Sequence, residues 1–310
     1  MSYFVLVAPA AAPTAPVIPQ DVVLWLESWD GSQRLSLSEG PVRWKAGATG
    51  LEVAPSDVLL APTPGVSGAS VSGVSYPPRE ALLPVTVEGD GWPGLNEAKE
   101  LLRSITDPAQ GMTPDGSFRL VATTPSGTRQ LGLAYRSGLE GLGIPSHVRQ
   151  NFVLEVVAPQ PFAEDRNVQT RPFRLEQNTA PFLGGVWGEI ALASSRIAGP
   201  DTPVVMTSAV PVYPVTTVIG PADSILITGD NGLRLDIPDG VEAGEVLEVV
   251  TDPRRKSTRV NGAIAAGRLA RGSRLAPFGL GTTTLSVSAP GATADTRLLV
   301  SWRTLHRSLL

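Results

Sequence analysis

Two histidines and a loose cluster of aspartates are the residues in this chain best suited to chemistry. A histidine titrates near neutral pH and can shuttle a proton or hold a metal. His147, at the start of an apolar run, and His306, in the C-terminal tail, fall on opposite sides of a domain boundary, and neither has a visible partner. Asp223, Asp230, Asp236 and Asp239 lie close together and offer the hard oxygen ligands that calcium prefers. Their spacing fits no EF-hand loop, however, and Asp230 and Asp239 each sit in a turn signal, where Asp bonds its own backbone. A glycosidase needs only two carboxylates a few ångströms apart, and a chain with 29 acidic residues offers many such pairs without marking one. No Gly-x-Ser-x-Gly elbow, His-Glu-x-x-His helix or phosphate loop ending in Gly-Lys-Ser/Thr occurs. Gly138-Leu139-Glu140-Gly141-Leu142-Gly143 lacks a strand-to-helix transition and reads as a wide turn. With no cysteine, disulfides, thiolate zinc sites and a cysteine nucleophile are excluded. No catalytic, cofactor-binding or metal-ligating residue is assigned, and no cofactor is expected.

Binding surfaces are the remaining option. A net charge of −4 gives no global basic footprint for nucleic acid or an anionic membrane. Arg254-Arg255-Lys256, with Arg259 nearby, is the one basic cluster, and it reads as a solvated strand end. No stretch approaches the ~20 apolar residues of a membrane span. Tryptophans are the other candidates, because they anchor both sugars and protein partners. Trp44 and Trp302 lie in alternating strands and are expected to fill core. Trp25, Trp29 and Trp92 border turns and are expected at interfaces.

Such surfaces need a scaffold, and the composition says which kind. Gly (32) and Pro (29) make up about a fifth of the 310 residues and punctuate the chain too often for a helical bundle. A hydrophobic share of 42% supplies a core. The expected fold class is mainly β, all-β with one short helix. The opening MSYFVLVAPAAAPTAPVIPQ lacks a positive n-region, and Pro9, Pro13, Pro16 and Pro19 break its apolar run. Residues 1–20 therefore read as an extended arm with polyproline character, suited to reaching a neighbouring subunit. From Asp21, strand patterns appear at 22–27, 34–37, 42–46, 69–76 and 81–88, and residues 61–68 (APTPGVSG) read as a loop. Leu95, Ala98, Leu101, Leu102 and Ile105 recur at helical spacing and predict a helix over 95–106, stopped by Asp107-Pro108. Strands at 117–123 and 128–135 flank the turn at Pro125-Ser126-Gly127, and a strand follows at 148–157.

The Pro-rich, polar stretch 159–173 predicts a domain boundary. Beyond it, short strands near 186–195, 203–207, 214–219, 224–229, 232–237, 245–250, 257–261, 282–289 and 296–302 predict a sandwich or jelly roll. Asn231-Gly232 predicts a type I′ hairpin turn, in which both residues take positive φ. The domain expectation is an arm at 1–20, a first β domain at 21–165 and a second at 166–310.

Taken in order, these features resemble the distal tail proteins of long-tailed, siphovirus-type bacteriophages, a family of minor tail proteins. In the first half the resemblance rests on the helix at 95–106, Phe118-Arg119-Leu120 with Pro125-Ser126-Gly127, Leu133 to Gly141, and Phe152 to Val157 closing on Ala158-Pro159-Gln160-Pro161-Phe162. In the second half it rests on Pro211-Val212-Tyr213-Pro214 leading to Ile219-Gly220-Pro221, then Asn231-Gly232 with Leu233 to Asp236. Leu275-Ala276-Pro277-Phe278-Gly279 before a final strand with Trp302 completes the pattern. The chain departs from it at Ala163, where the family usually has a bulky aromatic.

The resemblance implies an N-terminal ring-forming (belt) β domain and a C-terminal galectin-like sandwich. It implies a non-enzymatic homo-hexamer at the distal end of the tail, joining tail tube to tail tip or baseplate. The implied partners are the tail tube protein, the tape measure protein and the tail-tip or baseplate hub proteins. DNA would pass through the lumen without specific binding; six −4 chains carry −24, which suits a repelling wall. Two other classes stay open. A carbohydrate-binding sandwich would hold host glycan on exposed Trp, with Trp187 the residue to test, and a secreted β-sandwich glycosidase would need a carboxylate pair in a cleft.

Overall fold

The computed structural model describes residues 22–62, 64–65, 67–140, 146–173 and 202–310; the expected arm at 1–20 and the expected strand at 186–195 lie outside them. The chain is mainly β and divides into two compact units, one running to Pro161 and one from Phe162 to Leu309.

The first unit contains β1 (Val23–Ser28), β2 (Arg34–Ser36), β3 (Val42–Trp44), β4 (Asp57–Pro62), β5 (Ala69–Ser75), β6 (Arg79–Glu88), α1 (Gly91–Thr106), β7 (Phe118–Thr124), β8 (Gly127–Ser137) and β9 (Arg149–Ala158). Seven strands of this unit line up in one sheet in the order β2-β1-β7-β8-β9-β6-β3, with antiparallel neighbours throughout. This sheet curls into a nearly closed barrel, and Trp44 N–H donates to the Leu37 carbonyl at 2.9 Å to link its two ends. The period of two along the strands fills the interior. Leu83, Val85 and Val87 of β6, Phe152, Leu154 and Val156 of β9, and Phe118 and Leu120 of β7 are all buried.

α1 starts at Gly91, four residues before the expected start, because Pro93 falls in the first turn, where no helical N–H partner is needed. Its apolar stripe of Leu95, Ala98, Leu102 and Ile105 is buried, and the helix lies against β1, β2 and β6. Asp107 ends it as expected, and its side chain then accepts from Ala109 N–H at 2.9 Å. At the β1–β2 turn, Asp30 accepts from Ser28 Oγ (2.6 Å), Ser32 N (3.0 Å) and Ser32 Oγ (2.8 Å). These bonds hold its pKa at about 2. Gly50 is required where it sits, since its φ is +79° and a Cβ would lie 2.1 Å from the Glu80 carbonyl.

The loop expected over 61–68 is corrected at its start. Ala61 and Pro62 end β4, which pairs with β5 in a separate two-stranded ribbon. Proline is tolerated there because it closes a strand that lies at a sheet edge.

The second unit contains β10 (Ala163–Asp165), β11 (Gln169–Phe173), β12 (Thr202–Met206), β13 (Val215–Ile219), β14 (Ile225–Gly229), β15 (Arg234–Ile237), β16 (Val246–Val250), β17 (Ser257–Val260), β18 (Ala263–Ile264), β19 (Gly281–Ser288), β20 (Arg297–Trp302) and β21 (Leu305–His306). One sheet runs β11-β20-β13-β16-β17-β18 and the other β12-β19-β14-β15. Their facing residues, among them Val218, Leu247, Val249, Leu298 and Val300 from one sheet and Ile227, Leu235 and Leu285 from the other, share one core. This is a two-sheet sandwich.

The turn at Asn231-Gly232 also differs from expectation. Of these two residues only Gly232 takes positive φ (86°), and Gly229 N–H reaches the Leu233 carbonyl at 2.9 Å across a three-residue loop. Asn231 is instead held by its side chain, which donates to the Pro277 carbonyl at 2.6 Å and accepts from Leu233 N–H at 3.2 Å. The two-residue turn with positive φ at both positions is Asn261 (47°) and Gly262 (82°), between β17 and β18.

Leu154 is fully buried in the barrel. Leu154→Ala is expected to destabilise the first unit by about 2–5 kcal/mol, read as a lower midpoint in chemical denaturation with an unchanged slope.

Candidate interaction surface

The residues with catalytic potential are not brought together. His147 packs edge-on against Trp92, with ring centroids 5.2 Å apart. His306 Nε2 lies 2.8 Å from Asp165 Oδ1, where β10 pairs with β21, so it serves as a side-chain tie between those short strands. Asp230 accepts from Thr284 N–H at 3.0 Å, and Asp236 accepts from Arg234 Nη2 at 3.0 Å. The Asp223 carboxylate fills the space that a Cβ on Gly291 would need. Among the described residues, no three His, Asp or Glu side chains converge to hold a metal ion. A shallow cleft of about 400 Å³ beside the end of α1 is lined by Glu100, Arg103, Asp107 and Tyr135, with Glu100 and Arg103 paired at 2.6 Å.

The basic cluster is organised by an acid that the sequence reading did not connect to it. Asp252 is buried and accepts from Arg254 N (3.0 Å) and Arg254 Nη2 (2.7 Å), with Arg255 Nε at 3.5 Å. Burial alone would raise the Asp252 pKa. The hydrogen bonds and charge of Arg254, with the charge of Arg255, outweigh it and hold the pKa below its ordinary value.

The tryptophans divide differently from expectation. Trp25 is corrected from interface to core, being 6% exposed. Arg34 covers its ring at 3.8 Å, and its Nε1–H donates to buried Glu27 at 3.2 Å. Trp29 is half-buried with the Arg119 guanidinium 4.1 Å above it. Trp44 is half-buried, and Trp302 is half-buried against the core with its ring edge-on to Phe278 at 5.8 Å. Trp92 keeps 41% of its surface exposed, and Trp187 lies outside the described residues.

The β4–β5 ribbon presents a surface that the sequence reading missed. Val58, Leu60, Val71 and Val74 are 56%, 61%, 66% and 50% exposed. The register explains how they gather. Val58 pairs with Val74 and Leu60 with Val71, while Ser72 is an extra residue opposite Leu59. On an unbroken strand Val71 and Val74, three apart, would point to opposite faces. The bulge restores the phase and puts all four aliphatics on one face. Ser72 Oγ then donates to the Leu59 carbonyl at 3.0 Å. From Val58 to Ser75 the sequence holds no charged residue.

No protein-family model matches the chain, and no curated protein matches it. Solved structures do. The SPP1 Dit protein, described as a paradigm of the hub adsorption apparatus in phages that infect Gram-positive hosts, superposes with a TM-score of 0.60 at 16% identity, covering 91% of this chain and 100% of that one. The chain has the fold of that hub protein. Structures of the phage p2 baseplate in its activated conformation, with Sr and with Ca, give TM-scores of 0.51 and 0.50 at 9% and 10% identity, each covering 90% of this chain and 97% of the other.

Asp252→Asn is expected to cost about 1 kcal/mol at pH 7 through the weakened, half-buried ion pair, since Arg254 and Arg255 remain open to solvent. A depressed carboxylate pKa gives stability that is present above the unfolded value near 3.9 and is lost as pH falls through the folded value. The gap between variant and parent in thermal melts should therefore close on acidification. Leu60→Lys, on an exposed position, should leave the melting behaviour of the isolated chain within about 0.5 kcal/mol of the parent, and should impair whatever assembly the ribbon makes, read by native mass spectrometry.

Proposed function

We propose that this chain is a structural component of a bacteriophage tail, a distal tail protein that forms a hexameric ring joining the tail tube to the tail tip or baseplate. The observation that carries the reading is the fold likeness to the SPP1 Dit hub protein, which extends through both units of the chain and over the whole length of that protein. The first unit, within the 21–165 domain, makes the ring as its belt. The second, which takes up nearly all of the 166–310 domain and begins at Phe162, is the outer galectin-like sandwich. The role is architectural rather than catalytic, and it is exercised at the distal end of the virion tail.

The β4–β5 ribbon supports an assembly role on physical grounds. A cyclic ring uses a heterologous interface, in which one patch meets a different patch on the next subunit. A two-stranded ribbon with an apolar face is marginal by itself in water and gains most from being covered. An apolar face without charge, carried beyond the barrel sheet, suits a clasp on the neighbouring copy. Tube, tape measure and hub proteins are the further partners in this reading. DNA traverses the lumen, which the −24 charge of six copies would keep from gripping it.

Native mass spectrometry of the purified chain, with negative-stain imaging, tests the ring. The expected result is a species at six times 32.4 kDa seen as a ring, formed alone or on addition of tail tube protein. A strict monomer under both conditions would overturn the reading.

A further inference from the structure

We infer that the cleft beside the end of α1 is a carbohydrate site that takes a neutral mono- or disaccharide. This goes beyond the architectural role and does not depend on the ring, because every group it uses belongs to the first unit of a single chain.

Two elements that the fold brings side by side build the site. α1 supplies Glu100 and Arg103 from its last two turns, and the chain leaving it supplies Asp107 and Pro108. Tyr135, near the end of β8, and Leu139, just beyond it, complete the argument's lining. A bulge sets the direction of this end of β8. Tyr135 pairs with Val156 and Ser137 with Glu155, so Arg136 is the extra residue. Bulges re-aim the side chains next to them. Gly138 then takes a φ of +106° where a Cβ would strike the Val153 carbonyl, and the chain turns back until Leu139 N–H donates to the Tyr135 hydroxyl oxygen at 3.0 Å. The resulting volume of about 400 Å³ lies within the roughly 300–1,000 Å³ of small-molecule sites.

The lining selects its ligand by charge and by hydrogen bonding. A free cation would meet Arg103, and a free anion would meet Glu100 and Asp107, so an uncharged ligand is the one that none of the three repels. Arg103 Nη1 lies 2.6 Å from Glu100 Oε1, which spends one donor and one acceptor of a pair that has several of each. Asp107 uses Oδ1 on Ala109 N–H at 2.9 Å and keeps Oδ2 to accept. The Tyr135 hydroxyl, already accepting from Leu139, keeps its own proton to donate. The Ser104 and Thr106 hydroxyls, by contrast, turn back onto the carbonyls of Leu101 and Leu102 at 2.9 Å. The groups left to a ligand are therefore mixed: Arg103 and Tyr135 donate, Glu100 and Asp107 accept. A sugar hydroxyl donates and accepts at once, and its neighbours on the ring repeat the pattern. Pro108, Leu139 and the Tyr135 ring add apolar surface for the C–H face of the sugar.

The test is saturation-transfer NMR and titration calorimetry on the full chain with glucose, maltose, lactose, cellobiose and diacetylchitobiose at millimolar concentration. Saturable binding of at least one is expected. Arg103→Ala should weaken it about tenfold or more, and Tyr135→Phe, which keeps the ring, by about three- to tenfold. Both variants should melt with the parent; Glu100→Gln, at a more exposed position, repeats the test should either melt early. Trp92→Ala should leave binding unchanged, which separates the cleft from the other exposed aromatic of this unit. No saturable binding of any of these sugars would overturn the inference, as would binding that survives the cleft variants or that Trp92→Ala removes. Glucuronate should bind more weakly than glucose, and tighter binding would overturn the assignment to a neutral sugar. A monomer that binds sugar would reject the ring and leave the site standing, and a hexamer that binds none would reject the site alone.

Discussion

Every strand at the border of a sheet carries a row of backbone donors and acceptors that must be paired, covered or left in water, and this molecule is organised by how it settles each row. The barrel of the first unit curls until its ends meet at Trp44 and Leu37, so seven strands leave almost no open border. The sandwich ends its sheets in short strands or in strands that carry Arg, Asp or Pro. The β4–β5 ribbon follows neither course. Its aliphatic face and regular edge stay exposed among the described residues, and in the reading proposed above it is assembly that covers them.

The interior of the barrel explains how the ribbon can be spared from folding duty. β6 and β9 pair over ten residues each, and both send alternate apolar side chains inward. α1 closes the outside with its own apolar stripe. Arg79 at the start of β6 is buried, and its Nη1 donates to the Leu51 carbonyl at 3.0 Å, which fixes the chain on either side of the ribbon. The ribbon is thus held at its base by a packed structure while its own apolar residues remain outside that core.

Much of this architecture was legible in the sequence wherever one periodicity governed a whole element. The stripe of Leu95, Ala98, Leu102 and Ile105 identified α1, and Pro125-Ser126-Gly127 identified the β7–β8 turn. Reading failed where two signals competed. Pro62 signalled a loop, yet an edge strand can end on proline. The apolar spacing starts only at Leu95, so the expected helix left out residues 91–94, yet Pro93 fits a first turn whose N–H groups need no helical partner. Asn231-Gly232 carried the hairpin signature, while Asn261-Gly262 adopts it, because the pull of the Pro277 carbonyl on the Asn231 side chain is tertiary and has no trace in local sequence. Trp25 was misplaced for a similar reason: proximity to a turn suggested exposure, but Arg34 reaches back across the strand pair to cover it.

The candidate surface was the least legible part, and the cause is the bulge. Val71 and Val74 stand three apart, so a strict alternation assigns them to opposite faces and dilutes the apolar signal on each. One extra residue at Ser72 moves them onto the same face as Val58 and Leu60. Removing that residue would return Val71 to the opposite face and split the patch, with little change in overall hydrophobicity. The bulge therefore carries information that composition cannot. At 16% identity to a protein of the same fold, the barrel and sandwich are reproduced by pattern alone. The ribbon's aliphatic face depends on a phase shift of a single residue, and so it must be read from this chain's own register rather than carried across from a relative.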